Sequence, residues 1–463
     1  MHVPPTNRHS APHRVRHRPS VLGAIGYIIA IHGVGCAPGG VRPPRLTADQ
    51  QRLNVESFDY VWSTVEQAHW DRDLVETKWR PARDEFRTRV AAATVATEAR
   101  AATEAMIDRL EQTHFGIIPA DAYDDIDKPA NSSPASDGDA GIHVRLLDGR
   151  VIVTALDPRS AAEEADIRPG WEIRTIGRDD VSKLLGRLET NIEPGSAQRL
   201  LMTRAVTSRL RGDVGERVAL VLLDEGNREV EREVTLAAAR GKRVHFGHLP
   251  RFHVWFESRR LDGGVGYIAF NGFFDPQSVL TPFGEAVRSF ADARGIIIDL
   301  RGNPGGIGAM AMGVASWFFK NETRRLGVMH TRDQELKFTV SPRVDAYLGP
   351  VAILVDELTG STAEILAGGM KDLGRAVIIG TRTAGAALPS RIDRLPNGDG
   401  FQYAVANYLS AGGQALEDNG VTPDLEAPHT REALLAGRDL AINAAVWWIQ
   451  SSGGERRTVE RND

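Results

Sequence analysis

In this 463-residue chain the stretch best suited to chemistry is Ser361-Thr362-Ala363-Glu364. It follows Val351-Ala352-Ile353-Leu354-Val355, an apolar run with the length and β-branching of a buried strand. Asp356 to Gly360 break that pattern, and beyond Ser361 the residues Leu366, Met370 and Leu373 fall on one helical face. The spacing predicts strand, tight connection and helix, with Ser361 at the helix start. Amides in a first helical turn lack intrahelical partners and the dipole is positive there, so an oxyanion forming beside Ser361 would meet donors already in place. The same four residues also fit the capping box S/T-x-x-E, in which Ser361 only satisfies backbone. Other parts of the chain must decide between nucleophile and cap.

Further candidates are weaker one by one. Arg301-Gly302-Asn303-Pro304-Gly305-Gly306 follows a buried-type strand and by itself reads as a strand-to-helix turn. His114 stands at a helix end, where a lone histidine is ordinarily structural. His69 and Asp71 are two ligand-type residues without partners, and no HExxH or Cys cluster exists, so no metal and no cofactor is expected. The elbow GxSxG needs glycine two places either side of the serine; Thr359 and Ala363 stand there, against an α/β-hydrolase.

These residues need several units to position them. Hydrophobic content of 42% and charged content of 25% are ordinary for a globular protein, and a net charge of −5 without a long basic run after the leader argues against a nucleic-acid partner. Residues 1–36 read as an export leader: Arg14, Arg16 and Arg18, then an apolar run from Val21 to Ile31 too short to span a bilayer. Residues 37–49 form a Pro/Gly-rich tether and 50–120 an N-terminal helical domain, with Phe58, Val61, Trp62, Val65 and His69 on one face and further helices over Phe86–Val95 and Ala101–Leu110. Residues 121–139 are an acidic, Ser/Pro/Gly-rich linker. Residues 140–240 are β-rich, with an insertion near 186–205, and 250–428 alternate strands and helices, which predicts an α/β core with a largely parallel sheet. Within the core, helices are expected over Pro282–Ala291 and Gly308–Phe319. In 429–463 the stretch Thr430–Gln450 should be one more helix, with Trp447 and Trp448 packing, before a loose tail.

Several motifs carry resemblances. Gly33-Val34-Gly35-Cys36 resembles a bacterial lipobox, which implies lipidation of Cys36, the only cysteine, and a membrane-anchored protein of the bacterial envelope or periplasm. Asp157-Pro158-Arg159-Ser160-Ala161-Ala162 through Arg168-Pro169-Gly170-Trp171-Glu172-Ile173 resembles a PDZ domain, with Trp171 where that family keeps Asp. PDZ domains add an extended peptide beside an edge strand, which would fall to Gly141, Ile142, His143 and Val144. Asp299-Leu300-Arg301-Gly302-Asn303-Pro304-Gly305-Gly306 matches the "DLRxNxGG" loop of the C-terminal-processing (tail-specific) and tricorn-core peptidases. Ser361-Thr362-Ala363-Glu364 matches their nucleophile motif, Gly380 to Gly385 their "G-x-x-T-x-G", and Gly420-Val421-Thr422-Pro423-Asp424 their "GV-x-PD", all in the family's order.

The resemblance implies a multidomain α+β protein: helical N-terminal domain, PDZ-like domain and crotonase-like α/β core. It implies a serine endopeptidase acting through an acyl-enzyme on peptides or unfolded proteins, with Ser361 as nucleophile. The processing branch keeps a lysine base about 25 residues after that serine; Ala386 stands there, between Gly385 and Ala387, while Lys371 lies inside the helix and Lys337 elsewhere. The tricorn-like branch keeps Ser-His or Thr-His at the end of the helical domain and a glutamate three residues before "GV-x-PD"; Thr113-His114 and Glu417 match. The implied set is Ser361, His114, Thr113 and Glu417, with an oxyanion hole among Gly305, Gly306 and Thr362. An acid limb of kcat/KM is then expected at about pH 6–7, the ordinary imidazole value. The alternative is a non-catalytic peptide- or lipid-binding envelope protein on the same fold, since fold does not fix function; hydrolysis of a non-peptide ester is a third reading.

Overall fold

The computed structural model describes residues 44–120, 137–189, 196–244 and 252–459. The leader with Cys36, most of the tether and linker, and the end of the tail lie outside the described residues.

The chain opens with α1 (Ala48–Ala68), capped by Thr47, then a short π turn at Val75–Trp79, α2 (Arg80–Ala92) and α3 (Ala96–Ile107). Phe58, Val61, Val65, Trp79, Phe86 and Met106 line their common face. The helical unit does not close its core alone. Phe401, Tyr403, Leu388 and Leu395 complete it, and they come from or flank a hairpin far along the chain. The next strand, β1 (Gly116–Ile118), pairs antiparallel with that hairpin. His69, one of the two metal candidates, is buried here, bonded to Gln112 and stacked between Trp70 and Phe115, so it is a packing residue.

The β-rich unit contains β2 (Ile142–Leu147), β3 (Arg150–Leu156), β4 (Glu172–Ile176), α4 (Val181–Glu189), α5 (Ser196–Ser208), β5 (Arg217–Leu223) and β6 (Glu229–Thr235). Its antiparallel sheet runs β2-β3-β4-β5-β6, which leaves β2 at an edge. Gly138-Asp139, read above as linker, pairs with Arg211-Gly212 and Ala237-Ala238, so the linker ends earlier than its composition suggests.

The core follows with β7 (Phe256–Leu261), β8 (Val265–Phe270), α6 (Pro276–Ser289), β9 (Ile296–Asp299), α7 (Gly308–Ser316), β10 (Arg324–Thr331), β11 (Glu335–Val340), β12 (Val351–Val355), α8 (Thr362–Asp372) and β13 (Val377–Gly380). The hairpin β14 (Ser390–Arg394) and β15 (Gly400–Ala404) is the one that β1 joins; β16 (Ala406–Ser410) and β17 (Leu425–Glu426) come next. The main sheet runs β7-β8-β9-β12-β13-β17, parallel except for β7. Period-2 alternation explains its apolar runs: Ile296, Ile298, Val351 and Ile353 face α6, α7 and α8, while Ile297, Ala352 and Leu354 face the C-terminal helix. The expected α/β core with a largely parallel sheet is therefore present.

Three expectations change. α6 starts six residues early at Pro276 and carries Pro282 in its second turn, because Asp275 caps it there. α7 ends at Ser316, short of Phe319. The C-terminal stretch is two helices, α9 (Arg431–Leu435) and α10 (Leu440–Val459), interrupted where Gly437 takes a positive φ and Asp439 begins a new cap. Trp448 packs under the sheet, but Trp447 is 64% exposed and does not pack.

One buried ion pair joins the β-rich unit to the core. Arg145 on β2 reaches Asp356 at the end of β12, with nitrogen–oxygen distances of 2.8 and 2.6 Å. Asp356 Oδ1 also accepts the Gly302 and Leu358 amides. Burial works to raise the Asp356 pKa, and Arg145 with the Gly302 amide holds it below the usual carboxylate range. Arg145→Ala would leave a buried carboxylate without its cation, so it should lower unfolding free energy by about 3–5 kcal/mol. Denaturant unfolding of the full chain checks this, and a loss below 1 kcal/mol would contradict it.

Candidate active site

Ser361 stands at the tip between β12 and α8 with φ 51° and ψ −120°. A non-glycine residue there is strained by about 1–3 kcal/mol and needs its surroundings to hold it. Glu364 supplies much of that hold. Its buried carboxylate accepts the Ser361 amide at 3.0 Å, the Gly385 amide at 2.8 Å, the Ala386 amide at 3.0 Å and the Thr383 hydroxyl. The capping box forms, with the serine side chain facing the Glu364 amide and making no cap hydrogen bond of its own. Ser361 is half-buried, and Glu364 takes its backbone amide.

The Asp299–Gly306 loop lies against this turn. A Cβ on Gly305, at φ 95°, would come within 2.7 Å of Ser361 Cβ and the Thr362 amide nitrogen. A Cβ on Gly306, at φ 136°, would come within 2.4 Å of the Phe273 carbonyl oxygen. Only glycine allows both approaches. Asn303 Oδ1 accepts the Gly305 amide at 2.9 Å, so Gly305 has no free donor and the expectation that it serves an oxyanion hole is corrected to a spacing role. Among the described residues the Gly306 and Thr362 amides donate to nothing, while the Thr362 hydroxyl donates to Gly306 O at 2.7 Å and holds the two segments together.

Thr113 and His114 lie between the end of α3 and β1. Glu111 and His114 both take left-handed φ, 54° and 61°, and turn the chain back onto the core. Glu417 Oε1 accepts the Thr113 amide at 2.9 Å. Thr113 Oγ1 lies 2.7 Å from His114 Nδ1. Glu417 Oε2 accepts the Ala387 amide at 3.0 Å, and the Ala386 carbonyl accepts the Ser361 amide at 2.8 Å. Residues 383–387 thus touch both the serine and the carboxylate–threonine–histidine chain.

The lysines are elsewhere. Lys371 donates to the Thr422 carbonyl and pairs with Asp424, about ten residues down α8 from Ser361 and so ~15 Å along its axis. Lys337 is on the exposed side of β11. Of the peptide-binding candidates, Gly141 accepts the Asp157 amide, while Ile142, His143 and Val144 open the edge strand β2. His143 pairs with Asp157.

Burial dominates the site's electrostatics. His114 is 3% exposed, and desolvation, with the positive charge of Arg204 on α5, pushes its pKa down to about 3. Burial pushes Glu417 up to about 7 against hydrogen bonds from Thr113 and Ala387, and Glu364 up to about 7 against its four donors. An acid limb near neutrality would therefore belong to carboxylates, not to the imidazole expected from the sequence. Sequence reasoning missed Arg204, since nothing in α5 marks it, and read Glu364 only as a cap.

Residues 264–427 match the model of peptidase family S41. A carboxyl-terminal-processing protease of Synechocystis is 25% identical over 378 residues, covering 81% of this chain and 80% of that protein. The carboxy-terminal processing protease CtpB of Bacillus subtilis is 23% identical over 289 residues, 62% of this chain and 54% of that protein; this chain therefore spans about half of that relative. The solved photosystem II D1 C-terminal processing protease shares the fold with a TM-score of 0.54 and 19% identity over 85% of this chain and 100% of its own. Mature CPAF does so with a TM-score of 0.58 and 14% identity, over 90% and 99%.

The chain is a serine peptidase. Its core, residues 264–427, matches the peptidase family S41 model, and the curated relatives are carboxyl-terminal-processing proteases.

The histidine environment can be measured directly. Followed by NMR, the His114 ring should stay neutral down to pH 5, and Arg204→Gln should move its midpoint upward, because one of the two influences holding it down is gone. A midpoint near 6.5 in the unaltered protein would contradict the burial seen here.

Proposed function

We propose that Ser361 is the nucleophile of an endopeptidase, His114 its general base, and Glu417 with Thr113 the pair that orients His114. The observation that carries this reading is that Glu417 holds the Thr113 amide while the Thr113 hydroxyl lies against His114 Nδ1, with the Ser361 turn meeting the same carboxylate through residues 383–387. His114 Nε2 takes the Ser361 proton as Oγ attacks the peptide carbonyl, and returns it to the leaving amine. The Gly306 and Thr362 amides receive the oxyanion; losing one such donor typically costs about 2.7–4 kcal/mol in the transition state. The imidazolium that forms is stabilised by Glu417 once that carboxyl is ionised. Position 386 carries an alanine, so it supplies no amine to act as a base.

The substrate reading is an extended peptide or unfolded segment, admitted by the edge strand β2 at Gly141–Val144 of a PDZ-like unit. Export to the bacterial envelope and a lipid anchor on Cys36 rest on the leader's sequence alone.

Ser361→Ala should abolish turnover and labelling by a fluorophosphonate; proteolysis by a folded Ser361→Ala protein would defeat the assignment. His114→Ala should cost orders of magnitude in kcat and Glu417→Gln less, as Glu417 transfers no proton. The sign of the pH effect follows from the carboxylates. The hydrogen-bond partners of Glu417 and Glu364 are all donors, while the neighbouring Asp418 charge opposes ionisation of Glu417; the site's donors fit the ionised forms, and kcat/KM should climb with pH through about 7. The limb should be steeper than one proton, and Glu417→Gln should make it shallower. An unchanged limb in Glu417→Gln would remove Glu417 from the ionisation.

A further inference from the structure

The segment from Thr430 to Asp439 lies beyond residues 264–427 and touches two parts on which the chemistry depends. At one end is the β-rich unit. The Arg431 guanidinium donates to the Gly170 carbonyl at 2.8 Å, Asn227 Oδ1 at 2.6 Å and the Asp224 carbonyl at 2.6 Å. Leu435 fills the notch that Gly170 leaves; a Cβ there would meet the leucine Cγ at 2.6 Å. It also packs on that unit's core.

At the other end is the oxyanion loop. Asp439 caps α10 through the Ala441 and Ile442 amides. It also binds Arg301 with both oxygens, at 3.0 and 2.9 Å. Arg301 is partly buried and shared with Asp299, at 2.9 and 2.6 Å, and Tyr267 donates to Asp299 at 2.8 Å. Arg301 opens the turn that ends in Gly305 and Gly306. Between the two ends the segment is bonded to itself: Thr430 caps α9, the Gly437 amide donates to Leu434 O and the Arg438 amide to Ala433 O.

We propose that residues 430–439 are a strut that carries the position of the β-rich unit to the oxyanion loop, with Arg431 as its anchor and Asp439 as a positioning residue for the reaction. The proposal rests on the reading of Ser361 and the Gly306 and Thr362 amides given above. A loop whose first side chain is clamped between Asp299 and Asp439 moves when Asp439 moves, and Asp439 is tied to Arg431 through one short helix. A misplacement of about 1 Å at the reacting centre can cost on the order of a hundredfold.

The test uses the full chain with Arg431→Ala, Asp439→Asn and the double variant. Each single change should lower kcat about tenfold or more with KM nearly unchanged. The double variant should be no worse than the worse single, because both act on one path. Affinity for a peptide aldehyde, whose hemiacetal oxygen enters the oxyanion position, should fall in step with kcat, while a product peptide binds as before; a merely structural role would not separate the two ligands. Additive losses, or equal effects on aldehyde and product, would overturn the strut. If Asp439→Asn fails to fold, Arg431→Ala carries the test, and wild-type kcat in that variant overturns the proposal. Fluorophosphonate labelling of the unaltered protein keeps the two readings apart: labelling that persists in Ser361→Ala defeats the site assignment, whereas Ser361-dependent labelling with unaffected strut variants defeats only the strut.

Discussion

The burial of the Glu364 carboxylate is the constraint from which the rest of the site follows. Taking a charge out of water is costly unless donors surround it, and four do: the Ser361, Gly385 and Ala386 amides and the Thr383 hydroxyl. Those donors come from two segments, so satisfying one carboxylate locks the start of α8 to the loop after β13. Thr383 Oγ1 in turn accepts the Val421 amide at 2.6 Å, and a Cβ on Gly420 would collide with the Thr383 carbonyl. The motifs around Ser361, Gly380–Gly385 and Gly420–Asp424 are thus one knot tied around one acid. The strain at Ser361, φ 51°, is sustained because the knot fixes the residues on either side of it.

Much of this was legible in the sequence, and the reasons differ by element. The sheet strands are apolar on both faces, a pattern that local periodicity conveys directly. The turn at Ser361 is announced by the change from a strand run to helical spacing. His114 and Glu417 are different: Thr113 and Glu417 are 304 residues apart, and no local pattern joins them. Only the resemblance did so. The break between α9 and α10 was missed because Leu434, Ala441 and Ala445 keep a helical rhythm through it, while the cause is an Asp439 side chain engaged in long-range pairing with Arg301. The same holds for Gly305, whose glycine was read as a donor and is needed for close approach. The histidine's depressed pKa was out of reach, because it depends on how deeply tertiary packing covers the ring.

The absence of lysine at position 386 shapes the whole assembly. Ala386 is buried, its amide is spent on Glu364 and its carbonyl on Ser361, so this segment holds the Ser361 turn and supplies no basic side chain. On the proposed reading the base comes from the other end of the chain, and a base is useful only if its position is fixed to within a fraction of an ångström. That requirement accounts for how the helical unit is fastened. β1 adds to the hairpin β14–β15, Arg100 pairs with Asp399 at 2.8 Å, and Phe401 and Tyr403 enter the helices' core. The last fastening is Glu417 itself, which accepts the Thr113 amide with one oxygen and the Ala387 amide with the other. A carboxylate that only polarised the imidazole would need no second anchor. One that accepts an amide from each unit also sets the distance between them, so on the proposed reading orienting the base and joining the two units are a single act of hydrogen bonding.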